Sequence, residues 1–489
     1  MGLESRVKIK SRDAKKNHKF KGVGKAKELI HSFSDAVVYF DPDVDGCIAG
    51  VLACKYLAKH GIKYSWYINS NRSHDWSIPI DKAKGKNFVA VDFIITAEKV
   101  KELCDAGCNV VSMDHHINRE EFIEYKSDSG TEGVVINNQY PFEDADSRYL
   151  SGAGVVFESL VQMDPEFDTI ENRALVGITL LSDVRDIENP LAEGYLYILY
   201  THKYKGYIKY LIDGTMGEKD YGFGVPRMDR QYVDYKFSPA INAMLRFNRQ
   251  DEVVNFFLGK GNLDLECREE QKTLVRELVK GIKPVKYDKL IVCYFSEENY
   301  IKYADILSSF VGLTASRYLD GERSVICYMI SKTKEGKKFV KRASFRGNIN
   351  GLDYRNLLRG KFLCLGHSSA FGIKQIKPSK KLFEECNQLC KSLEEKSGWH
   401  RQVREVNNMS LFVNKNASSI AEDNMYKLTQ NKVYIRYTGS NIQTKRSGAN
   451  FVEYSVNGIP VLSFDKEIDF NTGLIVPILD RGLLTFVLE

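Results

Sequence analysis

The sequence predicts an α/β protein built on a parallel sheet, continued by a smaller α/β unit and closed by a C-terminal β domain. Three observations carry that expectation. Short apolar runs alternate with helically spaced segments through the first 115 residues, and each run ends in acidic residues. A second alternation of the same kind starts near Tyr287, after a long charged helix. From about Gly398 the pattern changes to short strands separated by Gly and Asn turns.

Taken in order, Asp35–Phe40 (DAVVYF) reads as a strand and runs into Asp41-Pro-Asp43-Val-Asp45-Gly46. Cys47–His60 has helical spacing, Phe88–Val91 is a second strand followed by Asp92, and Ala97–Ala106 is a second helix. Asn109–Met113 is a third strand followed by Asp114-His115-His116. This is a βαβ progression, and its acidic residues stand at the sheet edge where open α/β sheets bind ligands. Asn172–Leu181 is helical and leads into Ser182-Asp183. Leu263–Ile282 reads as a connecting helix with an apolar stripe of Leu265, Leu274 and Leu278, ending at Gly281–Pro284. The second unit includes the strands Leu290–Phe295 and Ser324–Ile330 and closes around Cys390. Five short strands follow, at Val433–Tyr437, Phe451–Val456, Ile459–Phe464, Leu474–Ile478 and Leu483–Leu488, a number that fits a small OB-like β-barrel. The expected division is a basic arm over 1–30, a first α/β domain over 31–260, a connecting helix over 261–286, a second α/β domain over 287–397 and the β domain over 398–489.

Composition excludes several classes. With 489 residues, 43% hydrophobic and 27% charged, the chain has the make-up of a globular protein and not of a disordered one. No apolar run approaches the roughly 20 residues that a membrane-spanning helix needs, and the N-terminus lacks the apolar core of a secretory signal. The 10 Cys show no paired C-x-x-C spacing, so a reduced, cytoplasmic setting is expected. The pairs Cys104/Cys108 and Cys386/Cys390, four apart on expected helices, read as packing. The formal net charge of +6 is concentrated: ten Lys and Arg face three acids between Met1 and Glu28. That arm suits phosphate neutralisation, and equally a solvated terminus.

The chemistry resides in Asp41/Asp43/Asp45, Asp92, Asp114-His115-His116 and Asp183. Alternating carboxylates can present oxygens to two neighbouring cations, an isolated carboxylate can bridge them, and imidazole adds nitrogen. That donor set suits Mn²⁺ or Mg²⁺. A single D-x-D loop is commonly only a turn or a helix cap, and one His of the pair could be structural. The ordered set points to metal, because crowded carboxylates without cations repel one another.

These residues resemble a known family. Asp114-His115-His116 is similar to the signature of the DHH phosphoesterases, and among them the chain resembles the RecJ-type single-strand-specific exonucleases. The likeness spans most of residues 35–390. It includes the D-x-D-x-D-G loop at Asp41–Gly46, Val91-Asp92, Gly107–His116, Leu150–Phe157 (LSGAGVVF), Asp183 and Ser238–Arg246 (SPAINAMLR). In the second unit it includes Gly312–Arg317 (GLTASR), Arg342–Gly347 (RASFRG) and Gly366–Gly372 (GHSSAFG). The resemblance implies a DHH domain joined to a smaller DHH-associated domain, with an OB-like domain matched in architecture only.

By the resemblance, Asp43, Asp45, Asp92, His115 and Asp183 hold two divalent cations, Mn²⁺ ahead of Mg²⁺, with Asp92 bridging. Asp114 then fixes a His ring and His116 meets the scissile phosphate. Arg246, Ser344, Arg346 and His367 bind nucleic-acid phosphates, with structural ion pairing as the competing reading. Asp41 stands open between a supporting role and a turn. The chain departs from the pattern at Leu365, Phe345, Gly347, Met244-Leu245 and Ala240, and these changes are expected on the substrate side. In the β domain, Tyr434, Arg436, Tyr437, Lys445, Arg446, Phe451 and Tyr454 suit base stacking beside a backbone-tracking groove, or barrel core plus solvated surface.

The leading expectation is a two-metal 5′→3′ exonuclease on single-stranded DNA, in repair, recombination or replication. The alternatives are an oligoribonucleotide or cyclic-dinucleotide phosphodiesterase of the same superfamily, and a non-catalytic replication scaffold. The expected partners are single-stranded nucleic acid, with DNA favoured, and a single-strand-binding protein or helicase. No membrane partner is expected, and the chain is expected to be a monomer.

Overall fold

The computed structural model describes residues 19–68, 76–116, 123–140, 145–183, 190–201, 233, 237–261, 263–264, 266–320, 322–349, 352–366, 368–397, 403–406, 434–447, 452–463, 475–480 and 483–488. The chain divides into two compact units, with the boundary between Ser397 and Gly398.

The first unit opens with α1 (Val23–Ser32), which buries Val23, Ala26, Leu29 and Ile30. The expected arm over 1–30 is therefore shorter, because its last residues carry an apolar stripe that packs. Next come β1 (Asp35–Phe40), α2 (Val44–Lys59), β2 (Lys63–Ile68), α3 (Ile80–Ala83), β3 (Asn87–Val91), α4 (Ala97–Asp105) and β4 (Asn109–Asp114). They are followed by β5 (Glu124–Lys126), β6 (Glu132–Asn137), α5 (Gly152–Met163), α6 (Ile170–Ser182) and α7 (Pro190–Thr201). The sheet order is β2-β1-β3-β4-β6-β5, parallel except for the antiparallel β5–β6 pair. The chain leaves β1 for β2 on one side and returns to β3 on the other. That reversal makes the C-terminal end of β1/β3 the switch point, where a doubly wound sheet opens a crevice.

One sheet face buries Tyr39, Phe88, Ala90 and Val110 against Leu103 and Cys104 of α4. The other face receives α2 and α5. α2 is apolar nearly all round because it is sandwiched between the sheet and α5/α6, and Gly50 lets it approach closely, since a Cβ there would lie 2.5 Å from the Phe40 ring. Cys108 lies beyond α4 and not on it. All 10 cysteines are buried free thiols.

After α8 (Ser238–Arg246), α9 (Gln250–Phe257) and α10 (Cys267–Gly281) the second sheet begins. It comprises β7 (Val285–Lys286), β8 (Leu290–Ser296), β9 (Ser324–Lys332), β10 (Lys338–Arg346), β11 (Leu363–Gly366) and β12 (Ala370–Lys374), in the order β11-β12-β10-β9-β8-β7. Three further helices belong here: α11 (Val311–Ser316), α12 (Tyr354–Leu358) and α13 (Lys380–Ser397). α10 is more than a connector. Its Leu274, Val275 and Leu278 pack with α11 on Ile291, Cys293, Phe295, Cys327 and Met329. Leu265 of the expected stripe lies outside the described residues. α12 and α13 cover the opposite face through Tyr354, Phe383, Cys386 and Cys390.

The β domain has seven described strands where five are expected: β13 (Val403–Val406), β14 (Tyr434–Tyr437), β15 (Ile442–Ser447), β16 (Val452–Val456), β17 (Ile459–Ser463), β18 (Ile475–Asp480) and β19 (Leu483–Leu488). They form one mixed sheet ordered β13-β14-β18-β19-β17-β16-β15 around Ile435, Tyr437, Val461 and Phe486. Asn457 and Gly458, both at positive φ (52° and 82°), make the two-residue turn between β16 and β17. Among the described residues no helix is long and apolar enough to cross a membrane.

Candidate metal centre and the β10 cluster

The site assembles at the switch point. β1 ends at Phe40 and the chain turns through Asp41 into α2, whose N-cap is Asp43; the Asp43 Oδ1 accepts from Gly46 N at 2.9 Å. Only glycine fits at 46, since a Cβ would sit 2.4 Å from the Asp41 carbonyl oxygen. Asp45 lies in the first turn of α2 and is buried. Its carboxylate crosses to the start of α5, where Gly152 N donates to Oδ2 at 2.7 Å and Ala153 N to Oδ1 at 3.0 Å. The LSGAG segment thus has a physical task. Ser151 caps α5 through Gly154 N and meets Thr179 of α6 at 2.7 Å, and the next two amides hold Asp45.

Asp92 follows β3 in the left-handed region (φ 59°), which few residues other than Gly, Asn and Asp adopt. Its amide donates to Met113 O at 3.1 Å, so β4 fixes the turn. Gly152 makes room for its carboxylate: a Cβ there would stand 2.1 Å from Asp92 Oδ1. That oxygen is buried and accepts no hydrogen bond, although His115 Nε2 lies only 3.2 Å away. His115 is buried just past β4, with Nε2 3.9 Å from Asp45 Oδ2 and Nδ1 3.8 Å from Asp183 Oδ2. Asp183 caps the C-terminus of α6, so it follows a helix and not a strand. Asp92, His115 and His116 form one group of convergent ligand atoms, and Asp45, His115 and Asp183 form another that shares His115.

Asp114, the last residue of β4, accepts from His116 Nδ1 at 2.8 Å, so the ring it fixes is that of His116. Asn137 at the end of β6 donates to the His116 carbonyl at 3.0 Å and secures the same loop. The sequence reading missed Asn137 and the role of Gly152 and Ala153. The LSGAG spacing carried a signal for the glycine pair, and nothing local marked Asn137. Asp41 is buried next to Tyr39, whose hydroxyl is pushed up to about 12, mainly by burial.

The electrostatics call for cations. Burial raises the Asp92 carboxyl well above its ordinary range, and Asp45, Asp43, Asp183 and Asp114 raise it further. Burial, Asp183 and Asp43 raise Asp45, while the Ala153 and Gly152 amides act in the opposite direction. A buried carboxylate oxygen without a hydrogen bond, facing an imidazole among other carboxylates, fits a divalent cation with mixed oxygen and nitrogen ligands.

A second cluster lies on β10. Arg346 Nη1 donates to Ser344 Oγ and to Phe345 O, both at 2.8 Å. Burial and then Arg342 pull the Arg346 guanidinium down to about 10, and no described carboxylate acts on it. Gly312 of α11 leaves it space, since a Cβ there would lie 2.4 Å from Nη2. Arg246 donates to Gln271 Oε1 at 3.1 Å across the α8–α10 contact. His367 lies outside the described residues.

The departures from the family pattern can be placed in the fold. Phe345 points away from Ser344 and Arg346, stacking on Phe371 (4.8 Å) in the core under α12 and α13, and Ala240, Met244 and Leu245 are buried. Gly347 is forced by the Tyr354 ring, 2.6 Å from where its Cβ would stand. In the β domain Tyr437 is core, while Arg436 and Lys445 are exposed. Phe451 and the side chains of Tyr434 and Arg446 lie outside the described residues.

Residues 36–181 match the family described as "DHH family, N-terminal domain". No curated protein matches the chain in sequence. Among solved structures the fold is similar to Thermus thermophilus RecJ in complex with Mn²⁺, with TM-score 0.63 and 18% identity, over 96% of this chain and 71% of that one. It is similar to an exonuclease RecJ bound to manganese, with TM-score 0.52 and 17% identity, over 79% of this chain and 97% of that one. T. thermophilus RecJ in complex with Mg²⁺ gives TM-score 0.58 at 16% identity, over 96% and 69%. At these identities the likeness is one of fold.

Proposed function

From a chain that carries a DHH-family N-terminal domain and shares the fold of RecJ, we propose a divalent-metal-dependent phosphodiesterase that shortens single-stranded DNA from its 5′ end. One observation carries the reading. Asp92 Oδ1 is buried without a hydrogen bond, 3.2 Å from His115 Nε2, at a sheet switch point crowded with carboxylates. Asp43, Asp45, Asp92, His115 and Asp183 would hold two cations, Mn²⁺ or Mg²⁺, with Asp92 shared. When bound, such a pair polarises the phosphoryl group, lowers the pKa of water and offsets charge on the leaving oxygen.

The chain's own groups do the rest. The α5 amides hold Asp45 in place. Asp114 engages His116 Nδ1, so Nε2 is the nitrogen turned to a phosphate oxygen. Arg346 and Ser344 supply a guanidinium fork and a hydroxyl with no competing carboxylate, which suits a phosphate of the bound strand. Arg246, tied to Gln271, positions the α8–α10 contact, and any phosphate contact it makes is through its remaining donors. A cytoplasmic setting and a single-strand-binding protein or helicase as partner belong to the same proposal.

The test is incubation with Mn²⁺ and 5′- or 3′-labelled single-stranded DNA, duplex DNA and a dinucleotide. Mononucleotides released from the 5′ end of single strands alone are expected. Cleavage of the dinucleotide alone refutes the exonuclease, and no cleavage at all, with Asp92→Ala indistinguishable from wild type, refutes an enzyme.

A further inference from the structure

The second sheet has two faces, and the phosphate-facing pair uses only one. Alternation along the strands puts Ser344 and Arg346 of β10 on the face covered by α10 and α11, and Tyr294 of β8 and Tyr328 of β9 on the other. On that outer face three rings form a ladder. Tyr294 stacks on Tyr328 (5.3 Å, 14° between planes), and Tyr328 stacks on Phe383 of α13 (6.1 Å, 20°). Tyr328 is buried, whereas Tyr294 at the open end is 50% exposed. The ladder fixes the Tyr294 ring without covering it.

The strands then run past α13 into a basic hairpin. In register, Tyr294 pairs with Tyr328, Ile330 with Val340, and Lys332 with Lys338. Lys332 follows Tyr328 by four residues, about 13 Å along the strand. Thr333 N donates to Lys337 O at 2.9 Å and closes the turn, with Gly336 at φ 82°. Glu298 and Glu297 neutralise Lys332 and Lys341. Lys334, Lys337 and Lys338 are exposed and have no acidic partner among the described residues.

We propose that this outer face is a second contact surface for single-stranded nucleic acid, lying outside the cleavage site. A base would stack on Tyr294 and the adjoining backbone would follow Lys338, Lys337 and Lys334. A fixed, half-exposed ring beside unpaired ammonium groups is the combination that binds single strands without sequence preference. An apolar protein partner would leave the three lysines unused. The inference rests on the reading that nucleic acid is the substrate, and binding can be measured apart from cleavage.

The experiment is fluorescence anisotropy of the full chain in EDTA with a labelled 30-nucleotide oligothymidylate, across a salt series. The triple variant Lys334→Gln/Lys337→Gln/Lys338→Gln is expected to lower the slope of log affinity against log salt by about 2, from roughly 0.7 per lost contact. Tyr294→Ala is expected to weaken binding about tenfold and Tyr294→Phe to restore it. With Mn²⁺, both variants are expected to cleave a five-nucleotide substrate at the wild-type rate. Unchanged 30-mer affinity and salt slope in the triple variant overturn the proposal, and so does an equal loss on the five-nucleotide substrate. If the wild type binds the 30-mer, loses affinity in these variants and cleaves nothing, the surface stands and the exonuclease reading falls.

Discussion

Replacing Gly152 by Ala tests the site through one atom. Gly152 is the first residue of α5 and its φ is not in the left-handed region, so the helix itself accepts Ala there. The obstacle is steric: the new Cβ would lie 2.1 Å from Asp92 Oδ1, 2.5 Å from Cγ and 2.8 Å from Cβ. Restoring van der Waals separation moves the carboxylate by about 1 Å, and a displacement of that size in a catalytic group costs about 100-fold in rate. Gly154→Ala, two residues on, is the control. The atoms nearest its Cβ would be those of the Leu150 side chain, at 3.0 Å and beyond, which can yield by a few tenths of an ångström. The assay is the initial rate on labelled single-stranded DNA over a Mn²⁺ titration, with melting temperature followed alongside. The expected result is a rate about 100-fold lower for Gly152→Ala at saturating Mn²⁺, and a rate within about threefold of wild type for Gly154→Ala. Equal rates for Gly152→Ala and wild type would refute the placement of Asp92 in the chemistry.

The other substitutions read separate parts of the design. Gly312→Ala puts a Cβ 2.4 Å from Arg346 Nη2, so substrate affinity is expected to fall about tenfold with little change in melting temperature, because the guanidinium can swing aside; unchanged KM contradicts the role of Arg346. Ser151→Ala removes the α5 cap and the contact with Thr179, and is expected to cost about 1 kcal/mol, a fall of about 2–4 °C by calorimetry. For pH, Asp45 and Asp92 have raised folded pKa values, so without metal the folded protein binds the extra protons. Stability therefore falls as pH rises from near the unfolded value of 3.8 through the raised values. Cations need the deprotonated carboxylates, so the Mn²⁺-induced rise in melting temperature is expected to be larger at pH 8 than at pH 5.5, and the reverse order refutes the assignment.

Much of the candidate site's sheet edge was legible because strand, acidic turn and helix are local patterns. The runs before Asp41, Asp92 and Asp114 became β1, β3 and β4, and Asn457-Gly458 made the hairpin that such a pair makes. The β2 strand was missed because KYSWYI lies at a sheet edge with alternating exposure and never looks apolar. α1 was hidden by its lysines, although Val23, Ala26 and Ile30 have helical spacing. The motif alone puts Phe345 on the substrate side. Period-two alternation alone puts it opposite Ser344 and Arg346, so strand geometry should have outranked the motif there. What one sequence could not yield is the crossing of Asp45 to Gly152 and Ala153, a contact over more than a hundred residues set by the packing of α2 on α5.

That crossing separates two carboxylates that share a site and a direction of shift. Asp45 accepts two amides at the start of α5, where aligned peptide dipoles favour negative charge, so part of its burial cost is met by the protein. Asp92 Oδ1 accepts no hydrogen bond and the carboxyl is raised by four neighbouring carboxyls, so no protein donor at that oxygen offsets its cost. The isosteric amides should therefore act in opposite directions on the metal-free protein. Asp45→Asn turns one acceptor into a donor that faces a backbone N–H, and is expected to destabilise by about 1–3 kcal/mol. Asp92→Asn removes a repelled charge and loses no hydrogen bond at Oδ1, so in EDTA at pH 8 it is expected to melt above wild type. With Mn²⁺ the order reverses, because wild type gains the ligand that Asp92→Asn has lost. Melting curves of the three proteins with and without metal decide it: an Asp92→Asn protein that melts below wild type in EDTA would mean that Asp92 is held by the fold and not by a cation.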